Sequence, residues 1–397
     1  MPPTATHATV PASRRPPATG GGGVRGGESR LLRALRRAAP ALLGYVTVRL
    51  FGLLVLARWA HVQGRGVWPT LATSWDSRWY LSIAGHGYER ELGTAMDSNN
   101  LAFFPLYPAL VRAVAAVTPG TRASVALAIA VVSSLVAAWG IFSVGDRLHG
   151  RRTGTVLAVL WGATPVAVVQ WMGYTESLFT AFTAWTLYAA LGSRWLWAGS
   201  LATLAGLTRP TGIAVAAAVT VAGLLACVRA RDRRALVGAL IAPLGWWGFV
   251  AWVGQRVGRR DGYFAVQKLW RNEWDGGRRT LWELRRHLAY DATPTLFLVV
   301  VSVVLVLSAA LYVLCVADRQ PLVLLVFTGV LLLVVLGSGG VFFPRARFLV
   351  PAFPLLLPVA VAVARARCAA AVLVLGGAAL SSAWLGAYLL LVWTGPP

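Results

Sequence analysis

"TPTLFLVVVSVVLVLSAALYVLCV" (residues 293–316) and, past the gap "ADRQ", "PLVLLVFTGVLLLVVLGSGG" (321–340) decide the fold class. Neither run holds a charged side chain, and each matches the roughly 20 apolar residues a helix needs to cross a bilayer. The rest of the 397-residue chain is of the same kind, 57% hydrophobic and 13% charged. The sequence therefore reads as an all-α, polytopic integral membrane protein. Its formal charge of +23 could point to nucleic acid, but the arginines sit in short gaps between apolar runs. Retention of cationic loops in the cytoplasm accounts for them. No basic groove can be assembled from such gaps, so no nucleic-acid partner is expected. Cys227, Cys315 and Cys368 are too widely spaced for a disulfide framework or a metal site and read as ordinary buried thiols.

Working outward, residues 1–38 are rich in Pro, Gly and Arg and read as a disordered basic cytoplasmic arm. Residues 39–397 form a single transmembrane domain. The first span is 40–60, preceded by Arg33, Arg36 and Arg37, which hold the start inside. Residues 61–122 form a first extracytoplasmic loop, whose apolar piece "FFPLYPALVRAVAAV" is too short to span and reads as re-entrant or interfacial. Further spans are expected at 123–145, 154–171, 175–192, 195–208, 211–228, 235–254, 294–316, 321–340, 347–364 and 369–392. The inner gaps "GDRLHGRR", "SR", "RARDRR", "ADRQ" and "ARAR" then all contain arginine. This gives about 11 spans, with 10–12 open because "TRPTG" breaks the region 195–228. The loop 255–293 is long, basic and rich in Trp and Tyr, which suits an element at headgroup level on the outer side.

Charge is scarce, so where it gathers is informative. "TSWDSRWYLSIAGHGYE" (73–89) carries Asp76, Arg78, His86 and Glu89 just after the first span. It reads equally as an amphipathic surface helix, with Trp75 and Trp79 toward lipid, or as a chemical site. Sugar transfer from a lipid-phosphate donor needs one base to take the acceptor's hydroxyl proton. The phosphate leaves as a stable anion and asks for cations instead of a proton donor. Asp76 fits the base, with Asp97 as its rival. Guanidinium groups suit phosphate oxygens.

The order "WDSRWYLSIAGHGYE" (75–89), "NNLAFFPLYPALVR" (99–112), "GYTESLF" (173–179), "AGLTRPTG" (205–212) and "FFPRARFLVPAFPLL" (342–356) resembles the PIG-V-type mannosyltransferases, relatives of GPI mannosyltransferase II within the GT-C glycosyltransferases. The resemblance runs from about 73 to 358, and its first three blocks are the most specific. It implies inverting transfer of mannose from a polyprenyl-phosphate-linked donor, with an acidic residue of the first extracytoplasmic loop serving the chemistry. The matching position here is Asp76.

Arg209, at a broken helix in an apolar region, and Arg345 and Arg347, in "FFPRARF", are candidate donor-phosphate ligands, against snorkelling or headgroup contact. Glu176 is a candidate sugar or acceptor contact, against a carboxylate that merely suits a helix start. His86 is a candidate proton shuttle, against a simple Gly-His-Gly turn. Asn99 and Asn100, with Phe103, Phe104 and Tyr107, could form a sugar shelf or an interfacial helix wetted at one end. No metal and no cofactor are expected; no Asp-x-Asp pair is present, and a lipid-phosphate donor needs no nucleotide-chelating ion. The expected partners are membrane lipids, a polyprenyl-phosphate sugar donor and an extracytoplasmic glycan, lipid or protein acceptor. A transporter or flippase for phosphate-bearing cargo is the alternative, as is an inactive accessory subunit of a glycosyltransferase complex. A transporter would place its polar groups at the midplane, between paired broken helices.

Overall fold

In a computed structural model, residues 30–397 are described, and Arg37–Pro397 form one compact unit. The expected disordered arm lies outside the described residues as far as residue 29. The first helix, α1 (Arg30–Val62), runs unbroken from Arg30 through Pro40. Arg33, Arg36 and Arg37 are thus early turns of that helix.

Among the described residues the secondary structure is helical apart from one isolated bridge, Trp274 to Ser338. After α1 come α2 (Val67–Ala72), α3 (Asp76–His86) and α4 (Leu106–Ala115), all within the expected first loop. At ten residues α4 reaches only about 15 Å, half a bilayer core. The bundle continues through α5 (Arg122–His149), α6 (Arg151–Gly162), α7 (Glu176–Leu191), α8 (Trp195–Gly206) and α9 (Gly212–Ala230). A helix broken at Pro243 follows as α10 (Arg233–Ile241) and α11 (Leu244–Arg256). The long loop carries α12 (Gly262–Leu269) and α13 (Arg278–Arg285). The chain closes with α14 (Leu296–Ala317), α15 (Leu322–Gly337), the one-turn α16 (Arg345–Phe348), α17 (Leu357–Arg365) and α18 (Cys368–Leu391). Among the described residues six segments are long and apolar enough to cross a membrane: α1, α5, α9, the α10–α11 pair, α14 and α18. The other expected spans are shorter or interrupted helices.

Small residues let these helices meet. A Cβ on Gly145 of α5 would stand 2.7 Å from the Cα of Gly154 in α6, and one on Gly199 of α8 would stand 2.6 Å from the carbonyl oxygen of Gly238 in α10. Without water to drive helices together, this close backbone approach supplies the contact.

One interruption matters for the site. The expected span 154–171 stops at Gly162 and resumes as a 3₁₀ turn, Ala167–Trp171. Backbone groups freed inside a bilayer must find protein partners, and these do. Arg49 Nη1 donates to the Gly162 carbonyl at 3.1 Å, Gln170 Nε2 to that of Trp161 at 2.9 Å and Ser382 Oγ to that of Thr164 at 2.8 Å. Tyr45 donates to Gln170 Oε1 at 3.0 Å, and Ser177 Oγ donates to the Gln170 carbonyl at 2.7 Å. The break is therefore a fixed bend that delivers residues 173–177 to the start of α7.

Candidate active site

Asp76 is the first residue of α3, and the residue before it is strained. Trp75 has φ 48° and ψ −117°, a conformation that costs a bulky L-residue on the order of 1–3 kcal/mol and persists only where its surroundings impose it. Trp75 packs against the main apolar core. That packing turns the chain sharply so that α3 opens with the Asp76 carboxylate beside the start of α7.

There four ionisable groups from distant parts of the sequence meet. Arg347 Nη2 lies 2.7 Å from Asp76 Oδ2, and its Nε lies 3.2 Å from Glu176 Oε1. Arg209 Nη1 reaches the same Oε1 at 2.5 Å and donates to Thr175 Oγ1 at 3.0 Å. Tyr80 Oη is 3.2 Å from Thr175 Oγ1. Phe348 lies under both guanidiniums at 5.5 Å, and Tyr174 lies under that of Arg347 at 5.1 Å. Two carboxylates balance two guanidiniums, the pairing that makes buried charge tolerable.

Glu176, Arg347 and Arg209 are buried, whereas the Asp76 side chain keeps 23% of its exposure. The cluster thus opens outward through its carboxylate. It is also incompletely satisfied: Ser77 Oγ, Tyr174 Oη, both Glu176 carboxylate oxygens and Arg347 Nε and Nη1 are buried without an aligned hydrogen bond. The Glu176 contacts are charge contacts, poorly aligned as hydrogen bonds. Buried polar atoms are nearly always bonded, so this concentration of unmet donors and acceptors marks where a polar ligand would be held.

Of the residues singled out in the sequence, Asp76, Glu176, Arg209 and Arg347 come together. Arg345 does not. Its guanidinium donates to the carbonyls of Ser338 (2.6 Å), Gly340 (3.0 Å) and Val341 (3.3 Å) and to the Thr280 hydroxyl, which fixes the long loop to the turn before α16. His86 is exposed at the far end of α3, ten residues or about 15 Å from Asp76 along the helix, too far to share its proton. Asn100 spends its amide on the loop, accepting from Glu89 N at 3.0 Å and donating to the Gly87 carbonyl at 3.1 Å. Asn99 likewise donates to Glu91 and Leu92 carbonyls and accepts from Leu101 N. Tyr107 is fully buried and donates to the Ala126 carbonyl at 2.8 Å. Phe103, half-buried, stacks on Trp79 with centroids 5.6 Å apart. Asp97 is paired with Arg271 at 3.3 Å in the outer loops.

Tyr80, Tyr174, Thr175, Ser77 and Phe348 join the cluster without having been foreseen. "GYTES" did hold two of them, and their adjacency to Glu176 was the available signal. Among the described residues no group of three or more His, Cys, Asp or Glu side chains is placed to hold a metal ion.

Residues 60–243, which include Asp76, Glu176 and Arg209, match the family model described as Mannosyltransferase (PIG-V). No curated protein matches the chain. Among solved structures the chain is similar to the archaeal oligosaccharyltransferase AglB from Archaeoglobus fulgidus, in complex with an inhibitory peptide and a dolichol-phosphate. The TM-score is 0.52 at 14% identity, covering 89% of this chain and 56% of that one. A structure of the Archaeoglobus fulgidus oligosaccharyltransferase tethered to an acceptor peptide containing the NVT sequon gives a TM-score of 0.48 at 13% identity, with the same coverage. The chain spans little more than half the length of these relatives. At such identity the likeness to AglB concerns the fold alone.

Proposed function

We propose that this chain, a membrane-embedded glycosyltransferase of the PIG-V mannosyltransferase type and not a transporter or flippase, moves mannose from polyprenyl-phosphate mannose to an extracytoplasmic lipid, glycan or protein acceptor. The observation that carries the reading is the contact between Asp76 and Arg347. It sets a carboxylate suited to remove a proton beside a guanidinium suited to hold a phosphate, at a partly open site.

The reaction is an inverting single displacement. The acceptor oxygen attacks the anomeric carbon, the bond from that carbon to the phosphate oxygen breaks, and its electron pair leaves on polyprenyl phosphate. Asp76 takes the acceptor's proton. Arg347 and Arg209 hold the departing phosphate, whose charge grows as the bond breaks. Glu176, between the two guanidiniums, fixes both and keeps one carboxylate oxygen for a sugar hydroxyl. Arg347 cannot serve Asp76 and a phosphate equally with one edge. Donor binding therefore draws it toward the phosphate and frees Asp76 Oδ2, so the base is released only when there is a donor to react.

A lipid-linked donor is supported by an apolar groove of about 150 Å³ bordered by Val304, Leu307, Leu311, Ala346, Leu349 and Val350. Val304 and Leu307 lie on α14, which is apolar enough to face lipid, whereas Ala346 precedes Arg347. An isoprenoid tail could lie there with its phosphate at the cluster. The AglB structure, with its dolichol-phosphate, is consistent with such a donor. The arginine-bearing inner gaps support a cytoplasmic N-terminus and an outward-facing site in a cell membrane.

The test is transfer of radiolabelled mannose from synthetic polyprenyl-phosphate mannose to membrane acceptors, comparing the chain with an equally expressed Asp76→Asn variant. Loss of a general base predicts a drop of about 10²–10⁴-fold. An unchanged rate would remove Asp76 from the chemistry. Absence of transfer by the unaltered chain would overturn the donor.

A further inference from the structure

A second polar cavity lies in the region where the long loop meets the turn before α16. It holds about 320 Å³ and is bordered by Arg271, Arg279, Arg286, Glu283, His287 and residues 339–343. Each of its three guanidiniums has one carboxylate partner: Asp97 for Arg271, Glu283 for Arg279 and Asp291 for Arg286.

The arginines are held in place with donors to spare. Arg279 engages Glu283 through Nε at 3.0 Å, and Arg286 meets Asp291 through Nε at 3.4 Å, so both keep their terminal nitrogens. Both guanidiniums lie over one indole, that of Trp282, at 5.4 and 5.3 Å. Stacking on an aromatic face fixes the plane of a guanidinium. Burial pushes the Arg345 guanidinium down to about 10, and the charge of Arg279 adds to that, against Asp275 and Glu283. Beneath the arginines the wall is rigid. His287, buried, sits between Glu283 (3.2 Å from Nε2) and Asp291 (3.1 Å from Nδ1).

We infer that this cavity binds an oxyanion, a phosphate borne by the acceptor, and so docks the acceptor next to the reacting centre. An oxyanion would complete the spare donors of Arg279 and Arg286, and bidentate contact is what the guanidinium fork supplies. The volume suits a phosphate with part of an attached polyol. Phe343, on the cavity wall, precedes Arg347 by four residues. The docking role rests on the glycosyltransferase reading; the oxyanion site does not.

The test needs no turnover. The full chain in phosphatidylcholine nanodiscs is treated with phenylglyoxal, with and without glycerol phosphate, and arginine modification is followed by mass spectrometry. Arg259, 52% exposed and paired with Asp261 in the same loop, is the internal control. At about four times its Kd the probe slows modification of Arg279 and Arg286 about fivefold, because modification tracks the unoccupied fraction, while Arg259 is unaffected. Protection by glycerol phosphate shows a soluble phosphate can enter. Protection only in nanodiscs containing phosphatidylglycerol assigns the site to a lipid-borne phosphate. No selective protection in either case overturns the site. For the docking role, the Arg279→Gln, Arg286→Gln double variant raises the acceptor KM about tenfold and leaves the donor KM within about twofold. An equal rise in both overturns that role.

Discussion

Arg345 and Arg347 are two residues apart in one short helix, both buried, and they belong to different parts of the molecule. Arg345 faces carbonyls and a hydroxyl on the loop side, and these take four of its five N–H donors. Arg347 faces two carboxylates, and its Nε and Nη1 have no aligned hydrogen bond. The first guanidinium holds two segments of backbone together. The second is charge-balanced but keeps hydrogen-bonding capacity for something else. Burial alone would have put both in one class; what separates structural from functional arginine here is whether the donors are already spent.

The comparison is most exposed to failure at Arg347. Arg347→Gln removes the phosphate clamp and leaves Asp76 without its cation, so transfer per folded molecule is expected to fall about 10²–10³-fold. It also breaks a buried pair, at a cost of about 3–5 kcal/mol of stability. Transfer rates normalised to folded protein separate the two effects. A variant that keeps its rate while losing stability would place Arg347 with Arg345 as a structural residue.

Arg345→Gln tests the other side. It leaves several carbonyls unpaired and is expected to cost about 3 kcal/mol in denaturant melts and to loosen the loop 255–293 toward protease. Transfer per folded molecule should stay within about threefold, since the residue touches none of the reacting groups. A large loss of rate with an intact melt would show that the two arginines act together on the donor after all.

Much of the cluster was legible because ionisable residues are costly in apolar surroundings and are therefore sparse. Asp76, Glu176, Arg209 and Arg347 stand out on that ground alone. Arg345 stood out equally, and only helical geometry separates it, because residues two apart on a helix point about 200° from each other. An extended "RAR" would have put both on one side. Asn100 and Tyr107 lie outside the cluster for another reason: an amide or phenol looks available in sequence, but backbone groups engage each. The strained Trp75 and the bend after Gly162 depend on packing between segments far apart in the chain, which no local pattern encodes.

The loop that Arg345 fastens is also braced from within, which gives the smallest expected effect and a test independent of catalysis. Asp275 accepts from the backbone amides of Gly277 (2.8 Å) and Arg279 (2.9 Å), opening α13 next to the oxyanion cavity. Burial pushes its carboxyl up, but those amides and the charge of Arg345 outweigh that and hold it below the ordinary 3.8. A depressed carboxyl stabilises the folded form fully above its unfolded pKa, and the contribution is lost as the pH falls through the folded value. Hydrogen exchange at the Gly277 and Arg279 amides, corrected for its intrinsic pH dependence, should therefore be slow and level above the ordinary aspartate value and quicken only below it. In Asp275→Asn, exchange at both amides should already be fast at neutral pH and show no such step. If the unaltered chain showed no step either, the carboxylate would be idle at the start of α13.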